Sequence, residues 1–223
     1  MKFGNKRSQC SYTLNEEVIE EVQSFKDLGI TISSPLNFST HISGICSTAN
    51  RRLGALKKSF ISRDPQLMTL LYKAHVRPVL EFGCIQWSPY KKYAIDDLEK
   101  VQKRFCRLFP SLHELRYKDK LQQLGLLSLR ARRLRYQLIF LFKIVNGLIP
   151  VGVEDLFSPS RRSLRGNVKR LFKPYSRTDL RRKFFAIEVI DHWNNLTATE
   201  VNANSINAFK NSINSYFCRH DIW

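Results

Sequence analysis

From Leu127 to Val145 the apolar residues Leu127, Ala131, Leu134, Leu138, Leu141 and Val145 recur at three- and four-residue steps, one stripe of an α-helix. The first half of this stretch also carries Arg130, Arg132, Arg133 and Arg135, whereas residues 137–145 are apolar nearly all round. A helix written this way enters from a basic surface and finishes buried, and Gly147 is its natural stop. The same period occurs earlier in the chain. Ile42, Ile45, Cys46, Ala49, Leu53, Leu56 and Phe60 form a second stripe, with Ser39 or Thr40 as the expected N-cap. Arg51 and Lys58 project opposite that stripe, and Arg52 and Lys57 flank it.

Asp64-Pro65 restarts a helix with proline in its first turn, and Arg77-Pro78 is expected to kink or end it. Further helices are expected over residues 79–87, 93–109, 118–124, 183–193 and 205–217. Ahead of all of them, residues 11–14, 18–22 and 28–32 are rich in β-branched side chains and read as short strands. Leu28, Ile30 and Ile32 alternate there, and Gly29 signals a bulge or a close backbone approach. Residues 150–182 have no clear period and are expected to be a basic loop with short strands. The fold class is therefore mostly α (α+β), a short N-terminal β element followed by a helical bundle and a basic helical C-terminal region.

Charge narrows the function. The chain has 37 Lys+Arg against 19 Asp+Glu, a formal net charge of +18. Residues 158–183 concentrate the excess, with Arg161, Arg162, Lys169, Arg170, Arg181 and Arg182 among ten basic residues and Asp179 the one acid. Lys and Arg at this density suit phosphates, because each contact releases condensed counterions. With 43% hydrophobic residues the chain can build a core, so wholesale disorder is not expected. Five scattered cysteines supply neither a disulfide framework nor paired zinc-ligand spacing, and reduced, intracellular thiols are expected. The start of the chain is polar and basic, without a secretory h-region, and the longest apolar run, residues 138–142, is far short of the ~20 residues a span needs. A membrane partner is not expected; a polyanion is.

Catalytic chemistry finds little support. Tyr93-Ala94-Ile95-Asp96-Asp97 approaches the aromatic-x-Asp-Asp turn that holds two magnesium ions in reverse transcriptases. However, Leu98 to Lys103 continues with helical period, and acids at a helix start simply favour the macrodipole. The five histidines form no His-x-x-x-His pair, no glycine-rich loop would cradle a phosphate, and no nucleophile motif is present. Trp87 and Trp193 lie in apolar helical contexts and are expected in the core, while Phe184-Phe185 adjoins the basic stretch.

An ordered series of fragments carries a resemblance. It runs Ser24-Phe25-Lys26-Asp27-Leu28-Gly29-Ile30, Leu36-Asn37-Phe38-Ser39-Thr40-His41-Ile42, Ala49-Asn50-Arg51-Arg52-Leu53-Gly54, Leu71-Tyr72-Lys73, Val76-Arg77-Pro78-Val79-Leu80-Glu81-Phe82 and Trp87-Ser88-Pro89-Tyr90. It continues through Leu98-Glu99-Lys100-Val101-Gln102-Lys103-Arg104, Arg132-Arg133-Leu134-Arg135, Phe142-Lys143-Ile144-Val145-Asn146-Gly147, Phe184-Phe185 and Trp193-Asn194. This series resembles the C-terminal part of reverse transcriptases from jockey-like non-LTR (LINE-type) retrotransposons, over nearly the whole chain.

The resemblance implies that residues 1–35 are the end of the palm with the primer-grip strands, residues 36–110 a helical thumb-like bundle, and residues 111–223 a helical C-terminal extension with the basic loop 158–183. Leu28 and Gly29 then look like the primer-grip turn. Arg51, Arg52, Lys57, Lys58, Arg130, Arg132, Arg133, Arg135, Arg161, Arg162, Lys169, Arg170, Arg181 and Arg182 would hold RNA or an RNA–DNA duplex by its backbone. The family's fingers and its palm aspartates, which bind magnesium, match nothing here. The implied chain is thus a truncated, non-catalytic piece with no cofactor of its own. The alternatives are a protein-interaction module, with apolar surface left open around Leu28, Ile30, Val79 and Leu80, or a retrotransposon relic without function.

Overall fold

The computed structural model describes Met1, residues 11–160 and residues 169–222. In chain order these form strands β1 (Thr13–Leu14), β2 (Glu17–Val18), β3 (Ser24–Asp27) and β4 (Ile30–Ser33), then helices α1 (Ser39–Ser59), α2 (Pro65–Leu71), α3 (Arg77–Glu81), α4 (Cys84–Trp87) and α5 (Lys92–Cys106). Helices α6 (Tyr117–Gln123), α7 (Leu129–Val145) and α8 (Val153–Leu156) follow, then β5 (Ser158–Pro159) and β6 (Leu171–Phe172). Last come α9 (Asp179–Arg182), α10 (Phe185–Asn194), α11 (Ala198–Val201) and α12 (Ile206–Arg219). The fold is mostly α with a small β element. Two compact units divide the chain, one of Met1–Gly83 with Lys91–Phe105, the other of Cys84–Tyr90 with Cys106–Trp223.

The first unit opens with two antiparallel hairpins. Thr13 faces Val18 and Leu14 faces Glu17 in the first; Phe25 faces Ile32 and Asp27 faces Ile30 in the second. Both turn in two residues at positive φ, Asn15 (50°) with Glu16 (68°) and Leu28 (44°) with Gly29 (86°), the turn whose twist matches the strands. Leu28 and Gly29 are thus the loop of a hairpin, not part of an alternating strand, and Gly29 is not a bulge. The strand expected over 18–22 is confined to Glu17–Val18, and no alternation in the sequence foreshadows the partner strand β3.

His41, Ile42, Cys46, Ala49 and Leu53 of α1 are buried as one stripe. Phe38, not Ser39 or Thr40, takes the N-cap place, and the Asn37 side-chain oxygen accepts from the Ser39 amide at 2.9 Å instead. The His41 Nδ1 accepts from the Thr31 amide at 3.3 Å, which fastens α1 to β4. Asp64 caps α2 by accepting from the Leu67 amide at 2.7 Å. The helix does not end at Arg77-Pro78. A π-helical turn, Tyr72–Val76, widens the backbone just before the proline and α3 runs on through it. A wider turn accommodates the missing proline N–H and its ring, so helical structure continues past the proline. Below it the Tyr72 hydroxyl donates to the Gln102 side-chain oxygen at 2.9 Å with both residues sealed from solvent, and Tyr72 stacks on Phe105 with centroids 4.3 Å apart.

Residues 79–87 are not one helix: α3 closes at Glu81, Gly83 takes φ 62°, and α4 starts afresh at Cys84. In the second unit, α4 packs on α7, as do α10 and α12. Ser128 caps α7 by accepting from the Ala131 amide at 3.1 Å, and Gly147 at φ 62° closes it as expected. Its core joins Leu138, Leu141, Phe142, Val189, Trp193, Phe209 and Ile213, with Phe142 stacked on Phe209 at 4.1 Å. Trp87 and Trp193 are both core residues, as expected.

A polar clasp holds the β5–β6 ribbon to this core. Trp193 Nε1 donates to the Lys169 carbonyl at 2.8 Å, and the Asn194 side chain both donates to the Leu171 carbonyl (2.8 Å) and accepts from its amide (3.0 Å). Thr197 and Glu200 form a reciprocal capping box at α11, and Glu200 also takes two hydrogen bonds from Arg219, at 2.7 and 3.0 Å.

Candidate nucleic-acid interface

The outer face of α1 carries the expected cations. Arg51, Arg52, Lys57 and Lys58 are all exposed, opposite or beside the buried stripe. Lys57 and Lys58 occupy the last turn, where the helix dipole favours positive charge, so their presence costs the fold nothing. Arg52 is partly engaged, donating to the His75 carbonyl at 2.9 Å, and Arg51 donates to Thr48 on its own helix at 3.2 Å. A contribution that the sequence did not reveal comes from α5. Its exposed Arg104 donates to Asn50 at 3.3 Å, and this bond sets a further cation beside Arg51. Lys100, one turn back on α5, is tied to Asp97 at 2.7 Å. Helical spacing exposes these positions while Leu98, Val101 and Phe105 turn inward.

The four arginines at the start of α7 do not make one basic face. Arg133 is buried, 3% exposed, and cannot meet a phosphate. Arg135 is half-buried and donates to the Lys210 carbonyl of α12 at 3.0 Å, with burial pushing its pKa below the usual arginine range. Arg132 lies over the Tyr136 ring, 5.5 Å from its centroid, and donates to the Tyr136 hydroxyl at 2.9 Å. Arg130 alone of the four is exposed. The buried series Leu129, Arg133, Gln137, Leu141 advances by four, and that spacing was the available sign that Arg133 points inward.

The basic loop is similarly divided. Arg161 and Arg162 lie outside the described residues. Lys169 is half-buried and donates to Asn146 at 2.8 Å, so it belongs to the clasp. Arg170 is half-buried too. Arg181 is exposed and lies over the Phe184 ring at 5.6 Å, and Arg182 pairs with Asp179. Leu28, at the tip of its hairpin, is 85% exposed, and the Phe82 ring lies 3.5 Å from where a Cβ on Gly29 would be.

Asp96 and Asp97 lie inside α5, not at a strand hairpin. Among the described residues no group of three or more His, Cys, Asp or Glu side chains is placed to hold a metal ion, and no helix is long and apolar enough to cross a membrane. A cleft of about 400 Å³ in the second unit is lined by Leu126, Leu127, Phe217, Cys218 and Ile222, with Gln122, Gly125 and Asn214. It presents no charged group to a phosphate.

No protein-family model and no solved structure matches the chain. Over 124 residues it is 28% identical to an uncharacterized protein of Caenorhabditis elegans, a stretch covering 54% of this chain and 63% of that protein. The chain thus spans just under two thirds of the length of the curated relative that it matches.

Proposed function

We propose that the chain corresponds to the primer grip, thumb and C-terminal extension of a jockey-like non-LTR retrotransposon reverse transcriptase, and that its role is sequence-independent binding of RNA or RNA–DNA duplex without catalysis. The observation that carries this reading is the α1–α5 face of the first unit. Arg51, Arg104, Lys57 and Lys58 lie exposed over an apolar core, and the Asn50–Arg104 bond fastens the two helices together there. Such a face grips a phosphate backbone and reads no bases, so affinity follows charge and not sequence. Arg130 and Arg181 extend the grip within the second unit; Arg133, Arg135 and Lys169 serve its packing.

Fluorescence anisotropy with two RNA–DNA duplexes of unrelated sequence tests the reading. It predicts equal affinity for both, and no primer extension by the purified chain with magnesium or manganese. A strong preference for one sequence, or template-dependent nucleotide incorporation, would refute it.

A further inference from the structure

The second unit sets exposed aromatic rings among its cations, a feature that a grip on duplex backbone does not use. Phe172, Tyr175 and Phe184 are 54%, 92% and 47% exposed, whereas Phe185 packs on Phe140 and Phe157. The stretch 172–184 that holds the three rings carries Lys173, Arg177, Arg181, Arg182 and Lys183 against one acid, Asp179. A single exposed ring is ordinary on a protein surface. Three in one short segment, interleaved with positive charge, match what an unpaired nucleic-acid strand offers, a flat π-face beside each phosphate.

The fold holds this segment against α10. Lys173 pairs with Asp191, and Lys183 pairs with Glu188 at 3.1 Å; residues 188 and 191 lie one turn apart on the same face of that helix. Both ends of the segment are thereby fastened to one face, each beside an exposed ring. Phe172 precedes Lys173, and Phe184, at the N-cap of α10, follows Lys183. Between them Pro174 and Ser176 are half-buried and the Ser176 hydroxyl is sealed from solvent, so the loop lies against the protein with Tyr175 outward. Arg181 sets a positive charge 5.6 Å from the centroid of the Phe184 ring. Lys173, Arg182 and Lys183 are in exposed ion pairs, which are worth little in water and exchange readily for phosphate. Neither Arg177 nor Arg181 is paired with a carboxylate among the described residues.

We propose that residues 172–184 are a binding site for single-stranded nucleic acid, with unpaired bases stacking on Phe172, Tyr175 and Phe184 and the phosphates of the strand meeting Arg177 and Arg181. A duplex has no use for such rings, because its bases are already stacked on one another. The site therefore goes beyond the duplex grip of α1 and α5 and does not rest on it. A protein partner is the poorer match, since cations separate the rings along the chain and no continuous apolar run joins them.

The test uses the full chain and fluorescent strands of about twelve cytidine nucleotides, as DNA and as RNA. An abasic strand with the same number of phosphates and a duplex of the same length serve as comparisons. Anisotropy should show both cytidine strands binding at least about tenfold more tightly than the abasic strand, since stacking needs the base and ignores the sugar. Phe172→Ser, Tyr175→Ser and Phe184→Ser together should bring that ratio near one while leaving duplex affinity within about twofold. Tyr175→Ser alone removes a side chain that stands clear of the fold, and it should lower the ratio by at least about threefold even if the triple variant is less stable. Arg177→Gln with Arg181→Gln should make the salt slope for a cytidine strand shallower by about 1.4, near 0.7 for each phosphate. The preference for bases should persist in the Arg51→Gln, Lys57→Gln, Lys58→Gln variant, whose target is the duplex grip. Equal affinity for cytidine and abasic strands, a preference confined to one sugar, or one that survives both aromatic variants would overturn the proposal. So would its loss in the α1 variant, or self-association in sedimentation velocity that the aromatic triple variant abolishes, since the rings would then cover a second copy.

Discussion

Leu28 shows at the level of one residue how local cost marks a surface. A two-residue hairpin turn wants Asn or Gly at this place, and leucine there strains the backbone without burying its side chain. Leu28→Asn should therefore stabilise the isolated chain by about 0.5–1 kcal/mol in chemical denaturation; a loss of stability would mean that the leucine has a partner within the fold. Tyr72→Phe should act the other way. It removes the donor to Gln102 in a sealed site and should cost about 1–3 kcal/mol, where a value near zero would contradict the hydrogen bond.

Two histidines make stability depend on pH. Burial pushes the pKa of His41 below the ordinary histidine value, with Lys26 adding to the effect, and burial likewise lowers that of His192, whose ring is 3.0 Å from the Tyr216 hydroxyl. The unfolded chain therefore protonates these rings before the folded one does. Their stabilising contribution is fully present above about pH 6.5 and is lost as pH falls below it. Denaturation midpoints should drop between about pH 7.5 and about pH 5.5, and His41→Asn should lessen the drop; a midpoint that rises on acidification would refute the assignment.

At the scale of elements, what the sequence made legible was what burial on one face dictates. The stripes of α1 and α7 were readable because their inner sides are sealed, and Asp64-Pro65 announced α2 by its capping chemistry. Strand β3 was not readable, since Ser24-Phe25-Lys26-Asp27 is exposed throughout and no core imposes alternation on it. The α11 turn does carry a readable signal, the capping box of Thr197 and Glu200, although four residues are too few to show a helical period beside it. The candidate site was half legible. Charge identified the cations, and four-residue spacing with Leu129, Gln137 and Leu141 marked Arg133, but only packing separates Arg135, which bonds to the Lys210 carbonyl, from Lys57 and Lys58, which face solvent.

That separation is measurable. Arg133→Met and Arg135→Gln should lower stability while leaving duplex affinity within about twofold, a change of only a few tenths of a kcal/mol. A selective loss of duplex affinity in either variant, with stability intact, would return these arginines to the interface.

For the whole molecule, a net charge of +18 is divided by the fold between two tasks. Some cations brace helices and loops, and others stand on the outer face of α1 and α5, while the acids of residues 11–29 form a region of opposite sign. The central claim is that the outer face grips a phosphate backbone. Its most direct test is the slope of log K against log salt for an RNA–DNA duplex, compared with the Arg51→Gln, Lys57→Gln, Lys58→Gln triple variant. A steep negative slope is predicted for the unmodified chain and one shallower by about 2–3 in the variant, near 0.9 for each phosphate no longer neutralised. A slope near zero in the unmodified chain, or one left unchanged by the triple substitution, would contradict the claim.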